Sequence, residues 1–322
     1  MNLKQNKRWF LLVVAVPLVL LSAIFAGNFF KSNPSGNTKV SIEGSPATPM
    51  VLGATSPLRG EADSVENQNW FKKGELDATG ITAKSFLAYD LENGSVLEQK
   101  APLAKLPIAS LTKLMTALVV YENLDFSQSL MVSSQDQIKI QPILGLKPGD
   151  QVKIQDLFNA MLVGSCNDAA KTLSNYTAKI TGKNFVSLMN ERAKNLGMVN
   201  SHFSNPLGFD SQYNYSTVSD LKLLVDYTQN LAAFVNLGKM PGYSFASASG
   251  NIYKTTATNK LLSEHADIEA VKTGFTENAG GSIISKLTLE GRKVIIIVVG
   301  SKDREADTLS LKRQIALHFV LQ

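Results

Sequence analysis

The chain has 322 residues but a single cysteine, Cys166, and three histidines, His202, His265 and His318. One cysteine excludes an internal disulfide and a cysteine-based zinc site, although it leaves export open. The three histidines stand far apart and none has metal-ligand spacing, so the sequence holds no zinc peptidase signature. None lies in a nucleophile elbow, which argues against a Ser-His-Asp hydrolase and leaves them as solvent-facing or satisfied polar residues. His265, seven positions before Lys272, is nearest to a residue of interest. Charge is scarce as well, at 18% of residues. The net charge is +5, of which Lys4, Lys7 and Arg8 supply three in a first 30 residues without an acid. The remaining +2 gives no footprint for nucleic acid.

What is present first is apolar. Residues 9–27, WFLLVVAVPLVLLSAIFAG, carry no charge and are about long enough to cross a ~30 Å hydrocarbon core. The stretch is longer than a usual signal-peptide core, and bulky Ile24 sits where cleavage sites prefer a small residue. The reading is a cytoplasmic N-terminus (1–8), a transmembrane signal anchor (9–30), a flexible extracytoplasmic linker (31–75) rich in Ser, Pro, Gly, Thr and Asn, and one catalytic domain (76–322). Lys4, Lys7 and Arg8 ahead of the span place that domain outside a single-pass membrane protein.

The domain opens with apolar runs flanking Asn93-Gly94, a pair favoured in two-residue hairpin turns. Helical periodicity follows at 111–124, 152–164, 167–180 and 183–198, and again at 216–231 behind a Ser/Thr cap. Two β-branched runs around Glu290-Gly291 come next, and ADTLSLKRQIALHFVLQ reads as a closing helix. Strands at both ends and helices between predict an α+β domain, an α/β sandwich whose terminal strands share one antiparallel sheet.

Three short stretches carry chemistry. In PIASLTKLMTA, Ser110 and Lys113 are three apart at the start of a helix and share a face. A serine hydroxyl becomes a nucleophile when a neutral amine takes its proton, which requires a lysine lowered to ~7–8 by burial and a neighbouring cation. S-x-x-K alone is a weak signal, and its plain alternative is a capping serine before a solvated lysine. The second stretch, MLVGSCNDAA, holds Ser165, Cys166 and Asn167; its thiol could be a nucleophile, a buried small residue or a spacer. The third is Val271-Lys272-Thr273-Gly274, where Lys272 and Thr273 suit a carboxylate.

S-x-x-K, S-x-N and K-T-G in this order resemble the signature of penicillin-binding proteins and serine β-lactamases. The blocks PIASLTKLMTALV, LGLKPGDQVKIQDLFNAMLVGSCNDAA, FVSLMNERAKNLGM, FSNPLGFD, YSTVSDLKLL, TNKLL and VKTGFTENAG are similar to the low-molecular-mass D-alanyl-D-alanine carboxypeptidases over roughly residues 76–322. The resemblance implies the β-lactamase/transpeptidase-like fold and a serine D,D-peptidase acting on D-Ala-D-Ala stem peptides of peptidoglycan, with β-lactams as covalent inhibitors and no metal or cofactor. It further implies Ser110 as nucleophile, Lys113 as base, Ser165 as proton relay, and Asn167 holding Lys113 and the substrate amide. Lys272 and Thr273 would bind the terminal carboxylate, and the N–H groups of Ser110 and of Phe275, just after Gly274, would form the oxyanion hole. On that alignment Cys166 is the middle of S-x-N, where glycine is usual, and Leu207 stands where relatives carry histidine. Alternatives are a D,D-endopeptidase, a serine β-lactamase and a catalytically silent penicillin-binding sensor. For a β-lactamase, Glu191 half mimics the E-x-x-L-N spelling, but it lies off the apolar face of its helix and reads as a solvated charge.

Overall fold

The computed structural model describes residues 69–235 and 237–322. The N-terminus 1–8, the anchor 9–30 and the linker up to residue 68 lie outside them. Among the described residues no helix is long and apolar enough to cross a membrane.

The strands in chain order are β1 (Trp70–Lys72), β2 (Ser85–Asp90), β3 (Val96–Lys100), β4 (Ser129–Met131), β5 (Gln151–Lys153), β6 (Gly242–Ala246), β7 (Ile252–Thr256), β8 (Ile268–Thr276), β9 (Gly280–Leu289), β10 (Arg292–Ser301) and β11 (Phe319–Leu321). The helices are α1 (Thr112–Asn123), α2 (Ile154–Val163), α3 (Asn167–Thr181), α4 (Phe185–Asn195), α5 (Val218–Thr228), α6 (Ala232–Val235) and α7 (Arg304–His318). The main sheet has five strands in the order β3-β2-β10-β9-β8, each pair antiparallel. Terminal strands therefore share one sheet around a helical middle, the α+β arrangement expected.

Strand alternation splits the core into two layers. Leu87, Tyr89, Ile284, Ile295 and Ile297 face α1, α2 and α3, whereas Phe86, Ala88, Ile283, Ile296 and Val298 pack against Leu311 and Ile315 of α7. Because both faces are covered, β10 is apolar throughout Val294–Val299 instead of alternating. Helix α1 runs through the first layer with residues 112–120 all buried. Every side chain of its first two turns is therefore either core or site.

Three expectations change. The hairpin at Asn93-Gly94 exists, but its turn spans residues 91–95 and only Gly94 takes positive φ. The Asp90 carboxylate accepts the N–H groups of Glu92 and Asn93 and pairs with Arg292 at 2.8 Å, which shapes a wider turn. The closing helix stops at His318; Phe319 is buried, and β11 pairs with β1. Strand β1 lies within the stretch 31–75 read as linker, tied in by the Trp70 Nε1 bond to Asp90 at 2.6 Å.

Candidate active site

The turn before α1 carries the nucleophile candidate. Ala109–Leu111 form a 3-10 turn in which Ala109 adopts φ +46°, a sparsely populated region for a side chain. Two glycines let backbone close in around it. A Cβ on Gly274 would lie 2.8 Å from the Ser110 N, and one on Gly208 would lie 2.1 Å from the Ala109 O. Ser110 is thus pinned between β8 and the 205–209 loop.

One helical turn on, Lys113 is fully buried, and its Nζ donates to Ser110 Oγ at 2.8 Å and to the Leu207 O at 2.7 Å. Burial lowers its pKa from 10.5 to about 7. The Leu207 carbonyl is presented by a loop wound on Asn205, whose Oδ1 accepts the N–H groups of Leu207, Gly208 and Phe209. With one N–H directed to Leu207, a neutral amine keeps its lone pair for the Ser110 proton.

Between α2 and α3 the chain turns sharply at Ser165, φ +59°. Ser165 Oγ accepts from Lys272 Nζ at 2.9 Å. Cys166 is buried in the first core layer with Sγ 3.5 Å from Thr255 Oγ1, and burial pushes its thiol up to about 11. Its hydrogen bond goes to Thr255 and it lies within the core cluster, so it is a compact core residue, although Lys113 and Lys272 are near enough to feel its charge. Asn167 departs from expectation. Its Nδ2 donates to Ile140 O and Gln141 O at 2.9 and 3.1 Å, and its buried Oδ1 has no partner, so Leu207 rather than Asn167 holds Lys113. Asp168 fixes the same loop by accepting the N–H groups of Leu144, Gly145 and Leu146.

Strand β8 completes the site. Its register slips between Ala270 and Lys272, a bulge that re-aims the following side chains. Lys272 is buried, with Nζ also on the Thr273 O at 2.8 Å, and it is held well below 10.5 by burial, by Lys113 and by Arg304. The Thr273 hydroxyl meets that of Thr258. Phe275, 61% exposed, follows Gly274 at the open edge.

The structure therefore brings Ser110, Lys113, Ser165, Lys272 and Gly274 together, with Asn167 two residues on from Ser165, and Thr273 and Phe275 flanking Gly274. Sequence reasoning missed Arg304, whose Nη1 bonds the Gly274 O at 2.8 Å and which places a cation beside Lys272. It also missed the Leu207 carbonyl and Asp168. The histidines lie elsewhere: His202 on the Tyr213 O, His265 in the turn before β8, and His318 over Gly74. Glu191 is exposed and paired with Lys183 at 3.8 Å. Among the described residues no cluster of three or more His, Cys, Asp or Glu could hold a metal.

A family model described as D-alanyl-D-alanine carboxypeptidase matches residues 72–303. The D-alanyl-D-alanine carboxypeptidase DacC of Escherichia coli is 29% identical over 240 residues, 70% of this chain and 58% of that protein. A D-alanyl-D-alanine endopeptidase of Pseudomonas aeruginosa is 31% identical over 242 residues, 72% of this chain and 77% of that one. The match spans about three fifths of the length of DacC and of DacF from Bacillus subtilis. Among solved structures, the crystal structure of the Streptomyces K15 DD-transpeptidase superposes with a TM-score of 0.68 at 26% identity, covering 76% of this chain and 98% of that one.

Proposed function

Since the chain belongs to the D-alanyl-D-alanine carboxypeptidase family, we propose that it is a serine D,D-peptidase which removes the terminal D-alanine from peptidoglycan stem peptides through an acyl-enzyme on Ser110. The observation that carries this reading is the buried Lys113 amine, 2.8 Å from Ser110 Oγ with a pKa of about 7. A buried lysine with no task would be costly.

In the proposed reaction Lys113 takes the Ser110 proton, and Oγ bonds to the carbonyl carbon of the D-Ala-D-Ala amide. The N–H groups of Ser110 and Phe275 face the developing oxyanion; Gly274 lets β8 approach closely enough for both to reach it. The free Asn167 Oδ1 accepts the substrate N–H. The Ser165 hydroxyl, whose oxygen is held by Lys272, delivers its proton to the leaving nitrogen as the C–N bond breaks and takes in exchange the proton that Lys113 removed from Ser110, which leaves Lys113 neutral again. Water then attacks the acyl carbon while Lys113 takes its proton, and Lys113 returns that proton to Ser110 Oγ as the ester C–O bond breaks. Lys272, Thr273 and Arg304 bind the terminal carboxylate. That carboxylate supplies the counter-charge Lys272 lacks beside Lys113 and Arg304, so binding favours the ammonium form of Lys272.

Glu191 is exposed and paired with Lys183, so it is not placed as a glutamate of the β-lactamase kind for rapid deacylation, which favours a penicillin target over a penicillin destroyer. The uncharged stretch 9–27 after Lys4, Lys7 and Arg8 supports anchorage in the cell membrane with the catalytic domain outside. The test is mass analysis of defined muropeptides after incubation with the full chain in detergent and with its Ser110→Ala variant. Loss of one D-alanine with the first only is expected. No cleavage by the wild type, or equal cleavage by both, refutes the assignment.

A further inference from the structure

We infer that the pocket between the 3-10 turn Ser134–Asp136 and α3 binds a neutral sugar ring, which, resting on the peptidase reading, is a ring of the glycan strand that carries the stem peptides. The pocket holds about 440 Å³, within the ~300–1,000 Å³ usual for small-molecule sites, and none of the residues assigned to catalysis or carboxylate binding lines it. Thr172 points to a ligand. It lines the pocket at 1% exposure, and its Oγ1 has no hydrogen-bond partner among the described residues. Inside a helix a threonine hydroxyl can turn back to the carbonyl four residues earlier, and Thr177, Thr181, Thr228 and Thr308 do so. Thr172 leaves that bond unmade, and a buried hydroxyl without a partner costs free energy that a ligand recovers.

A second lining group is also incomplete. Asp136 is buried, and its carboxylate accepts the Ser133 N–H at 2.8 Å and the Asn175 Nδ2 at 2.7 Å. Among the described residues no lysine or arginine pairs with it. An ionised carboxylate offers about four acceptor positions, so about two stay open to donors from a ligand. Lys179, at the exposed side, balances its charge, so an anion would meet Asp136 and a cation would meet Lys179. A sugar ring suits this lining better than either. Its hydroxyls both donate and accept, as Asp136, Thr172 and the Gln135 and Asn175 amides require, while its C–H faces pack on the Tyr176 ring and the exposed Met131 thioether.

The position favours the substrate's own strand as the source. Helix α3 begins at Asn167, and the segment that leaves the 3-10 turn supplies the Ile140 and Gln141 carbonyls that hold Asn167. Both walls of the pocket therefore carry or hold the residue that meets the retained part of the substrate. Thr172 lies five residues along α3 from Asn167, about 8 Å at ~1.5 Å per residue. The retained part is the one still joined to the glycan, since the leaving group is the terminal D-alanine.

The test titrates N,N′-diacetylchitobiose, a neutral disaccharide, into the full chain in a detergent without a sugar headgroup, read by saturation-transfer NMR, with D-alanine as a zwitterionic control. Binding of the disaccharide and not of D-alanine is expected. Thr172→Val keeps the shape and removes the hydroxyl, so the dissociation constant should rise about three- to tenfold, the scale of one neutral hydrogen bond. Penicillin acylation should stay at the wild-type rate and the urea midpoint should not fall, because no bond within the protein is lost. Tyr176→Leu, which keeps apolar bulk, should weaken the disaccharide by a similar factor. No binding up to about 10 mM, equal binding by Thr172→Val, preference for D-alanine, or a lower urea midpoint overturns the site. The source is read from kcat/KM on a disaccharide pentapeptide and on the same pentapeptide without sugars. Thr172→Val lowers only the first if the ring belongs to the substrate, and neither if it belongs to another strand, with disaccharide binding reduced in both cases. Cleavage of neither substrate by the wild type refutes the peptidase reading and leaves the binding result standing.

Discussion

Replacing Lys113 by Met gives the sharpest test of how the site obtains its base. An ordinary lysine at 10.5 is neutral in about 0.03% of molecules at pH 7, whereas one at about 7 is neutral in about half, a gain of over a thousandfold in competent base. The same gap corresponds to about 5 kcal/mol of folding free energy. Its sign follows from linkage: the folded value is depressed, so the unfolded chain binds more protons between pH 7 and 10.5, and stability rises with pH across that window. Below about pH 7 the full penalty applies. Acylation by a fluorescent penicillin, followed by stopped flow from pH 5 to 9, should rise tenfold per pH step and level off near 7. Lys113→Met should lose about 10²–10⁴-fold and the pH limb with it. Urea melts should show the variant gaining stability over the wild type, most at pH 6 and least near pH 10.5. A flat wild-type profile, or a variant acylated at the wild-type rate, would refute the reasoning.

Two further outcomes follow from the same geometry. Cys166→Ala should keep peptidase activity, and the wild-type thiol at about 11 should react with iodoacetamide at pH 8 about a hundredfold more slowly than free cysteine; rapid alkylation or abolished activity would restore the thiol as a reactive group. Gly274→Ala sets a Cβ 2.8 Å from the Ser110 N and 3.0 Å from the Ile108 O, so penicillin acylation should fall at least a hundredfold while urea melts shift by about 1–3 kcal/mol, and wild-type acylation would show that β8 need not approach so closely.

The motif residues were legible because acyl transfer demands particular side chains in order: Ser110 with Lys113, Ser165 with Asn167, Lys272 with Thr273. Their supports were not. The acceptor that orients Lys113 is the Leu207 backbone oxygen, and a carbonyl leaves no mark on sequence. Arg304 reads as any first-turn helix residue until α7 packs on the sheet and brings it to the Gly274 O. Asn167 was assigned to Lys113 from resemblance, whereas the loop held by Asp168 places carbonyls where its amide N–H groups bond instead. Among fold elements, the long apolar run of β10 and the periodic α2 announced themselves. Phe319–Leu321 prolonged the helical pattern on paper and became a strand because Trp70–Lys72, three residues within a polar stretch, pair with it.

The strand order has a consequence for when this protein can act. Residues 85–90 find their partners in 294–299, roughly two hundred residues later in the chain. Strand β8, which brings Gly274 against Ser110 and Lys272 to Ser165, is in turn secured by β9. Such distant pairing is slow and waits for the late segments. A chain emerging N-terminus first exposes Ser110 and Lys113 long before the strand that completes their site exists. On the proposed reading, catalytic competence is thus gained only once residues 268–301 have been made, and a copy truncated before them holds the nucleophile without the means to use it.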